Sequence, residues 1–167
     1  MDRRLLVTMV LGIAIPVETA KAQDGSAIPP PARIDDASIS AWLSSYIETD
    51  GWVVIAADGV AVALGSPSGV AQRADGYLQA DIRHEYYEPT TLGPYQSSSN
   101  LQTRLIDCAE RRQRVVAMTL FRFNNLREEL ASRSNFEPEW STPSEGSVAY
   151  RVIDRICRAP TEGELRR

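Results

Sequence analysis

Residues 52–64 read WVVIAADGVAVAL, in which two apolar runs lie on either side of Asp58-Gly59. A two-residue Asp-Gly link tolerates the positive φ angles of a type I′ turn, the turn that best matches the twist of paired strands. The flanking runs are short and apolar, as strands of a buried sheet are. The segment therefore predicts a β-hairpin. It is the strongest hairpin signal in the chain and indicates an antiparallel sheet.

The strand pattern continues after the hairpin. Further strands are predicted over residues 77–87, 101–108 and 112–123, the first from its alternation of side chains. The predicted breaks are Ser66-Pro67-Ser68-Gly69, Asp75-Gly76, a polar loop over residues 89–99 and a turn at Asn124-Asn125. Residues 126–132 are consistent with either a strand or a helical turn.

A helix is predicted before the hairpin. Its apolar stripe consists of Ile39, Trp42, Leu43, Tyr46 and Ile47. Asp35, Asp36 or Ser38 can cap it, and Asp50-Gly51 ends it. We expect this amphipathic helix to pack on the domain that follows; docking onto a partner is the alternative.

The N-terminus has the pattern of a secretory signal. Arg3 and Arg4 precede an apolar core over residues 5–17, which is shorter than the roughly 20 residues of a membrane span. Ala20-Lys21-Ala22 then matches the small-x-small cleavage pattern. We expect residues 1–22 to be a signal peptide cut before Gln23; a retained N-terminal helix, packed or anchored, is the alternative. No cysteine lies near the cut for lipid attachment, so a free periplasmic or secreted product is expected.

Three further segments complete the domain plan. Residues 23–37 form a proline-rich leader, residues 38–158 the folded domain, and residues 159–167 a loose tail. In this last part of the domain, Thr142-Pro143-Ser144-Glu145 has the pattern of a capping box, which predicts that a C-terminal helix begins there.

The chain has two cysteines, Cys108 and Cys157. Cysteines in an exported protein usually pair, because the compartment is oxidising. Cys157 follows Ile153 by four residues and so lies on the apolar face of the C-terminal helix, while Cys108 ends a predicted strand. A disulfide between helix and sheet is therefore expected, with both cysteines largely buried. Without a C-x-x-C pair, and with His84 as the only histidine, no metal site or cofactor is predicted.

The formal net charge is −4, and Lys21 is the only lysine. Nucleic-acid binding requires a basic stripe, which the chain lacks. An acidic domain is also repelled by anionic lipid, so no stable membrane insertion is expected after signal cleavage.

The order of these segments resembles the surface-adhesin protein E-like family of proteobacterial envelope proteins. The matching pieces span residues 52–158 and are Trp52 with Asp58-Gly59, Leu105-Ile106-Asp107-Cys108, Arg114 through Phe123, and Trp140 through Ser147 running to Ile156-Cys157. The resemblance implies an α+β fold with a six-stranded antiparallel sheet and a C-terminal helix tied to it by the disulfide. It also implies adhesion to host extracellular-matrix proteins.

Catalytic residues are not evident. His84 is the sole candidate general base, and a small hydrolase centred on it is the enzymatic alternative; a strand histidine bonded to a neighbour is the favoured interpretation. Tyrosine and arginine are enriched at binding hot spots. The candidate residues for a peptide- or glycan-binding surface are therefore Tyr86, Tyr87, Tyr95, Arg104, Arg112 and Arg114. An ordinary solvated sheet face with cross-strand Arg–Glu pairs is the favoured interpretation of the same residues. Trp42, Trp52 and Trp140 are assigned to the core.

These observations predict an exported, non-enzymatic binding domain whose partner is an envelope or extracellular protein or glycan. The second hypothesis is a periplasmic accessory or inhibitor protein that binds an endogenous envelope enzyme.

Overall fold

The computed structural model of the chain describes residues 27–135 and 138–158. The predicted signal peptide and C-terminal tail lie outside these ranges. The elements in chain order are α1 Asp36–Tyr46, β1 Val53–Ala57, β2 Ala61–Gln72, β3 Leu78–Leu92, β4 Tyr95–Asp107, β5 Arg112–Phe123, β6 Arg127–Ser134 and α2 Val148–Arg158. The expected α+β fold, with a six-stranded antiparallel sheet and helices at both ends of the domain, is confirmed.

The sheet has the order β1-β2-β3-β4-β5-β6, so each strand pairs with its neighbours in sequence. The hairpin of β1 and β2 forms as predicted, with Ala57 opposite Val62. Its turn differs from the prediction, because neither Asp58 nor Gly59 has a positive φ. The Asp58 carboxylate instead accepts hydrogen bonds from the backbone of Val60 and Ala61 at 2.8 and 3.0 Å. An aspartate that bonds two residues ahead thus replaces the type I′ geometry.

Two predicted breaks are parts of strands. Ser66-Gly69 is an irregularity inside β2, between pairs made by Gly65 and Val70. The polar loop predicted over residues 89–99 was wrong, because Thr90 pairs with Ser97 and only Gly93-Pro94 separates β3 from β4. Polar side chains do not prevent backbone pairing, and threonine favours strands. Of the ambiguous residues 126–132, all but Leu126 lie in β6.

The two helices pack on opposite faces of the sheet, and both faces of the first part of β2, residues 61–65, are buried. Val62 and Leu64 contact α1, in a cluster with Ile39, Trp42, Leu43, Ile47 and Tyr87. Ala63, between them in sequence, points to the other face and joins the cluster made by α2. Asp35 caps α1 by accepting a hydrogen bond from the Ser38 backbone at 2.8 Å. Alternation along one strand therefore supplies two separate cores.

Helix α2 lies nearest β1 and β2. Its side chains Val152, Ile153 and Ile156 join a buried cluster with Ala80, Ile82 and Ile106. Cys108 and Cys157 form the expected disulfide, with Cα atoms 5.6 Å apart. Both cysteines are half-buried rather than largely buried.

The start of α2 differs from the prediction by five residues, since Ser147 and not Thr142 caps the helix. The Ser147 hydroxyl accepts a hydrogen bond from the Tyr150 backbone at 3.1 Å. A helix that starts at Thr142 cannot continue into α2, because Gly146 has a φ of 78°, outside the right-handed helical region.

Candidate functional site

Helix α1 covers only part of its face of the sheet. Its contacts are with Val62, Leu64 and Tyr87, which lie towards one end of the strands. At the other end of the same face, Gln79 lies opposite Leu105, which in turn lies opposite Arg114. We call this surface the open face and define it by Gln79, Leu105, Arg112, Arg114 and Trp140.

Trp140 is the centre of the open face. The guanidinium carbons of Arg112 and Arg114 lie 5.1 and 4.9 Å from its ring centroid, within range of a cation–π contact. The Tyr77 ring packs on it at 4.8 Å. The Ser141–Gln113 bridge fixes the backbone next to Trp140, so the cluster is held to the start of β5.

The charges of the open face are unevenly compensated. Arg112 forms an ion pair with Asp107 at 2.9 Å, and Arg73, at the rim, forms one with Asp75 at 3.1 Å. Arg114 has no ion pair or hydrogen bond with any residue in the described ranges, and its Nε is buried without a partner. Among the residues that the structure describes, therefore, none compensates the charge of Arg114.

A pocket of about 350 Å³ adjoins Arg114. It is lined by Arg73, Gln79, Leu105, Arg114, Val116, Ala117, Ser134 and Asn135. The volume is at the lower end of the range for small-molecule sites. Its lining combines two arginines, neutral polar groups and an apolar floor, so it can accept an anionic group attached to a short aliphatic chain.

The six residues of the predicted binding surface are divided among several places. Arg112 and Arg114 lie together on the open face, beside Trp140. Tyr86 and Arg104 lie on the opposite face, and Tyr87 is buried beneath α1 with its ring 5.3 Å from that of Trp42. Tyr95 is exposed next to the β3–β4 turn. The structure thus brings together two of the six and adds Trp140, which had been assigned to the core.

A second polar cluster is buried on the α2 side of the sheet. The Nδ1 atom of His84 lies 2.9 Å from the side-chain oxygen of Asn100, whose amide donates to the Tyr86 hydroxyl at 2.7 Å. Arg104 donates to Gln102 at 2.6 Å and to Gln113 at 3.0 Å. Its remaining contact is with Nε2 of His84 at 3.3 Å.

Burial lowers the pKa values of two groups in this cluster, His84 and Arg104. Desolvation, followed by the charge of Arg104, lowers the pKa of His84 to about 4. Desolvation likewise lowers the pKa of Arg104 to about 10. His84 is therefore neutral at pH 7, with a proton on Nδ1 for Asn100 and an Nε2 lone pair that faces the Arg104 guanidinium. Among the described residues, no serine or cysteine hydroxyl or thiol is bonded to this imidazole.

Two general features limit the kinds of site present. Within residues 27–135 and 138–158, no group of three or more histidine, cysteine, aspartate or glutamate side chains is arranged to hold a metal ion. In the same ranges, neither helix has the length and apolar character that a membrane span requires.

A small α+β domain with a disulfide is typical of envelope or extracellular proteins, because disulfides persist in oxidising compartments. Among protein-family models, the one described as surface-adhesin protein E matches residues 52–158, from the start of the hairpin to the end of α2. The chain therefore belongs to the surface-adhesin protein E family. Neither a search of curated proteins nor a search of solved structures gives a significant match.

Proposed function

We propose that the chain is an exported, non-enzymatic binding protein that acts in the periplasm or outside the cell, and that its protein partner docks on the open face. The observation that supports this most directly is the cluster of Arg112, Arg114 and Trp140. Tryptophan and arginine are the residue types most enriched at binding hot spots. Here they share one surface that α1 leaves uncovered.

The family supports the general class of the protein, a surface adhesin. We propose host extracellular-matrix proteins as the first class of partner. The alternative partner is an endogenous envelope enzyme, for which the chain would be an accessory or inhibitor protein. Both hypotheses use the same open face and differ only in the source of the partner.

The geometry of His84 gives little support to a hydrolase. General-base catalysis works best with a pKa near the operating pH and a free lone pair within reach of the nucleophile. The pKa of His84 is about 4, and its Nε2 lone pair is directed to Arg104. We therefore assign His84 to the interior polar cluster of the domain.

The experiment is affinity capture with the processed protein purified after export. It is immobilised and exposed separately to extracellular-matrix extract and to envelope extract of the producing bacterium, and captured proteins are identified by mass spectrometry. The test variant is Arg114→Glu, and the matched control is Arg155→Glu, at an exposed arginine of α2. A partner that is lost with Arg114→Glu and retained with Arg155→Glu is expected.

The source of that partner distinguishes adhesion from the accessory role. Capture of nothing from either extract, or capture that Arg114→Glu leaves unchanged, would contradict binding through the open face.

A further inference from the structure

We propose that the pocket beside Arg114 is a carboxylate-binding subsite, and that it receives a glutamate or aspartate side chain from an acidic segment of the protein partner. This inference rests on the proposed function and adds the chemistry of the contact. It concerns one part of the open face, the 350 Å³ pocket.

Arg114 is held in place but has no hydrogen-bond acceptor among the described residues. Its guanidinium is held over the Trp140 ring at 4.9 Å, which restricts its orientation. None of its N–H groups donates to a residue in the described part of the chain, and the Nε group is buried. Buried donors in folded proteins are nearly always paired, and the exceptions are frequent at functional sites. A hydrogen-bond acceptor supplied by a ligand would pair with the free N–H donors of this guanidinium.

The charge of the pocket lining is positive, unlike that of the chain as a whole. The whole chain is acidic, with a net charge of −4, yet both charged residues that line the pocket are arginines. Asp75 compensates Arg73, whereas nothing among the described residues compensates Arg114. The ligand that matches a planar, forked cation of this kind is a carboxylate, which can accept two parallel hydrogen bonds.

The other residues that line the pocket suit an acidic side chain and its neighbouring peptide groups. Leu105, Val116 and Ala117 provide apolar contacts suited to the methylene groups of an acidic side chain. Gln79, Ser134 and Asn135 add neutral donors and acceptors at the same site, suited to the peptide groups next to that side chain. A pocket of this size accommodates one or two side chains rather than a folded surface, so an acidic peptide segment is the favoured occupant. An acidic saccharide is the competing one.

The test is an NMR titration of the processed, ¹⁵N-labelled protein. The probe is the peptide acetyl-Gly-Glu-Gly-Glu-Gly-amide, and the control probe has glutamine in place of both glutamates. We expect the glutamate peptide to shift the backbone amide signals of Ala117, Ser134 and Asn135, with a dissociation constant on the order of 1 mM. The glutamine peptide should leave these signals unchanged, and added salt should weaken the glutamate peptide's binding.

Three variants test whether peptide binding depends on the Arg114 side chain. Arg114→Gln should weaken binding about tenfold or more, since it removes the charge and the fork. Arg114→Lys should fall between that variant and the wild type, because it keeps the charge but loses the bidentate geometry. Arg155→Gln, which removes an exposed charge on α2, should bind as the wild type does. If Arg114→Gln does not fold, Ser134→Trp, which fills the pocket from an exposed position, should abolish binding instead.

Equal binding of both peptides, unchanged binding by Arg114→Gln or Ser134→Trp, or no binding at all would overturn the inference. So would a uronic-acid oligosaccharide that shifts these signals when the glutamate peptide does not. A partner captured through the open face without any peptide binding would reject this inference alone. Peptide binding without any captured partner would reject the proposed function alone.

Discussion

The Glu85 carboxylate lies 2.6 Å from the Arg83 guanidinium, and both side chains are enclosed, two positions apart on the same face of β3. Glu85 also accepts hydrogen bonds from Asn124 and from the Asn125 backbone. Arg83 donates to the Glu48 carbonyl at 2.8 Å and to the Asn125 side chain at 2.9 Å. The pair thus joins the chain just after α1 to the turn between β5 and β6.

We predict that Glu85→Gln lowers the free energy of unfolding by about 3–5 kcal/mol, because it leaves the Arg83 charge buried and uncompensated. Urea denaturation of the purified protein measures this. The matched control is the double variant Arg83→Met/Glu85→Leu, which removes both charges and should be less destabilised than the single variant. A double variant at least as unstable as Glu85→Gln would show that the hydrogen bonds, rather than the charge, dominate.

Acid should weaken the domain through His84. Its pKa is lowered from 6.5 to about 4 in the folded protein, so the unfolded chain binds a proton first as the pH falls. The unfolded state is therefore favoured progressively between pH 6.5 and 4. At pH 4.5 this amounts to about 2–3 kcal/mol relative to pH 7.5.

His84→Gln keeps a donor for Asn100 and an acceptor for Arg104, and it removes this proton. We expect its unfolding free energy to fall less than that of the wild type over the same pH range. Burial raises the pKa of Glu85, an effect of opposite sign, but both proteins share it and it cancels in the comparison. Parallel pH profiles would contradict the prediction.

The disulfide should serve stability. Cys108 and Cys157 are 49 positions apart, and closing a loop of that length restricts the unfolded chain. We predict that Cys108→Ala/Cys157→Ala lowers the free energy of unfolding by about 2–5 kcal/mol while the circular dichroism spectrum at low temperature is retained. Reduction of the wild-type protein should give a similar loss. A reduced protein as stable as the oxidised one would refute the prediction.

Gly65 is the position in β2 where the absence of a side chain matters most. A Cβ atom there would collide with the Ile55 side chain on β1. We predict that Gly65→Ala lowers the melting temperature, with a free-energy cost of about 1 kcal/mol, and that adding Ile55→Val recovers part of it by removing the colliding methyl group.

Gly59→Ala is the control for this substitution, since it has a negative φ and open space around it. It should leave the melting temperature nearly unchanged. Equal losses for the two alanine variants would mean that backbone flexibility, and not the collision, sets the cost.

Local patterns were sufficient for most of the fold. The apolar spacing of Trp42 and its neighbours predicted α1, and the runs around Asp58-Gly59 predicted the first hairpin. Signals that depend on one side chain were less reliable. Thr142 has the composition of a helix cap, but the backbone passes through a positive φ at Gly146 and Ser147 caps the helix instead. Ser141, just before Thr142, pairs with Gln113, and a local pattern cannot reveal this pairing of distant segments.

The binding surface was predicted less well, because its six residues were grouped by residue type and not by the face they occupy. Tyr86 and Tyr87, for example, are adjacent in β3 and point to opposite faces. A bulge in β5 has a similar effect on two of the arginines. Arg114 and Arg122 are eight residues apart, an even spacing that places them on one face of a regular strand. The register shifts between the pairs made by Thr103 and Arg104, which leaves one extra residue, Val116, in β5. Arg122 therefore lies on the opposite face and pairs with Glu128 at 2.9 Å. Trp140, outside any strand, has no periodicity that could assign it to a face.

The neighbour-by-neighbour order of the six strands has a consequence for how the chain acquires its structure. Each hairpin needs only residues already adjacent in sequence, so the sheet can assemble progressively as the polypeptide emerges, one strand at a time. Helix α2 is the last described element, and it bears Cys157. The bond between Cys108 and Cys157 can therefore form only after all six strands have been synthesised, so no shorter chain can be closed by it.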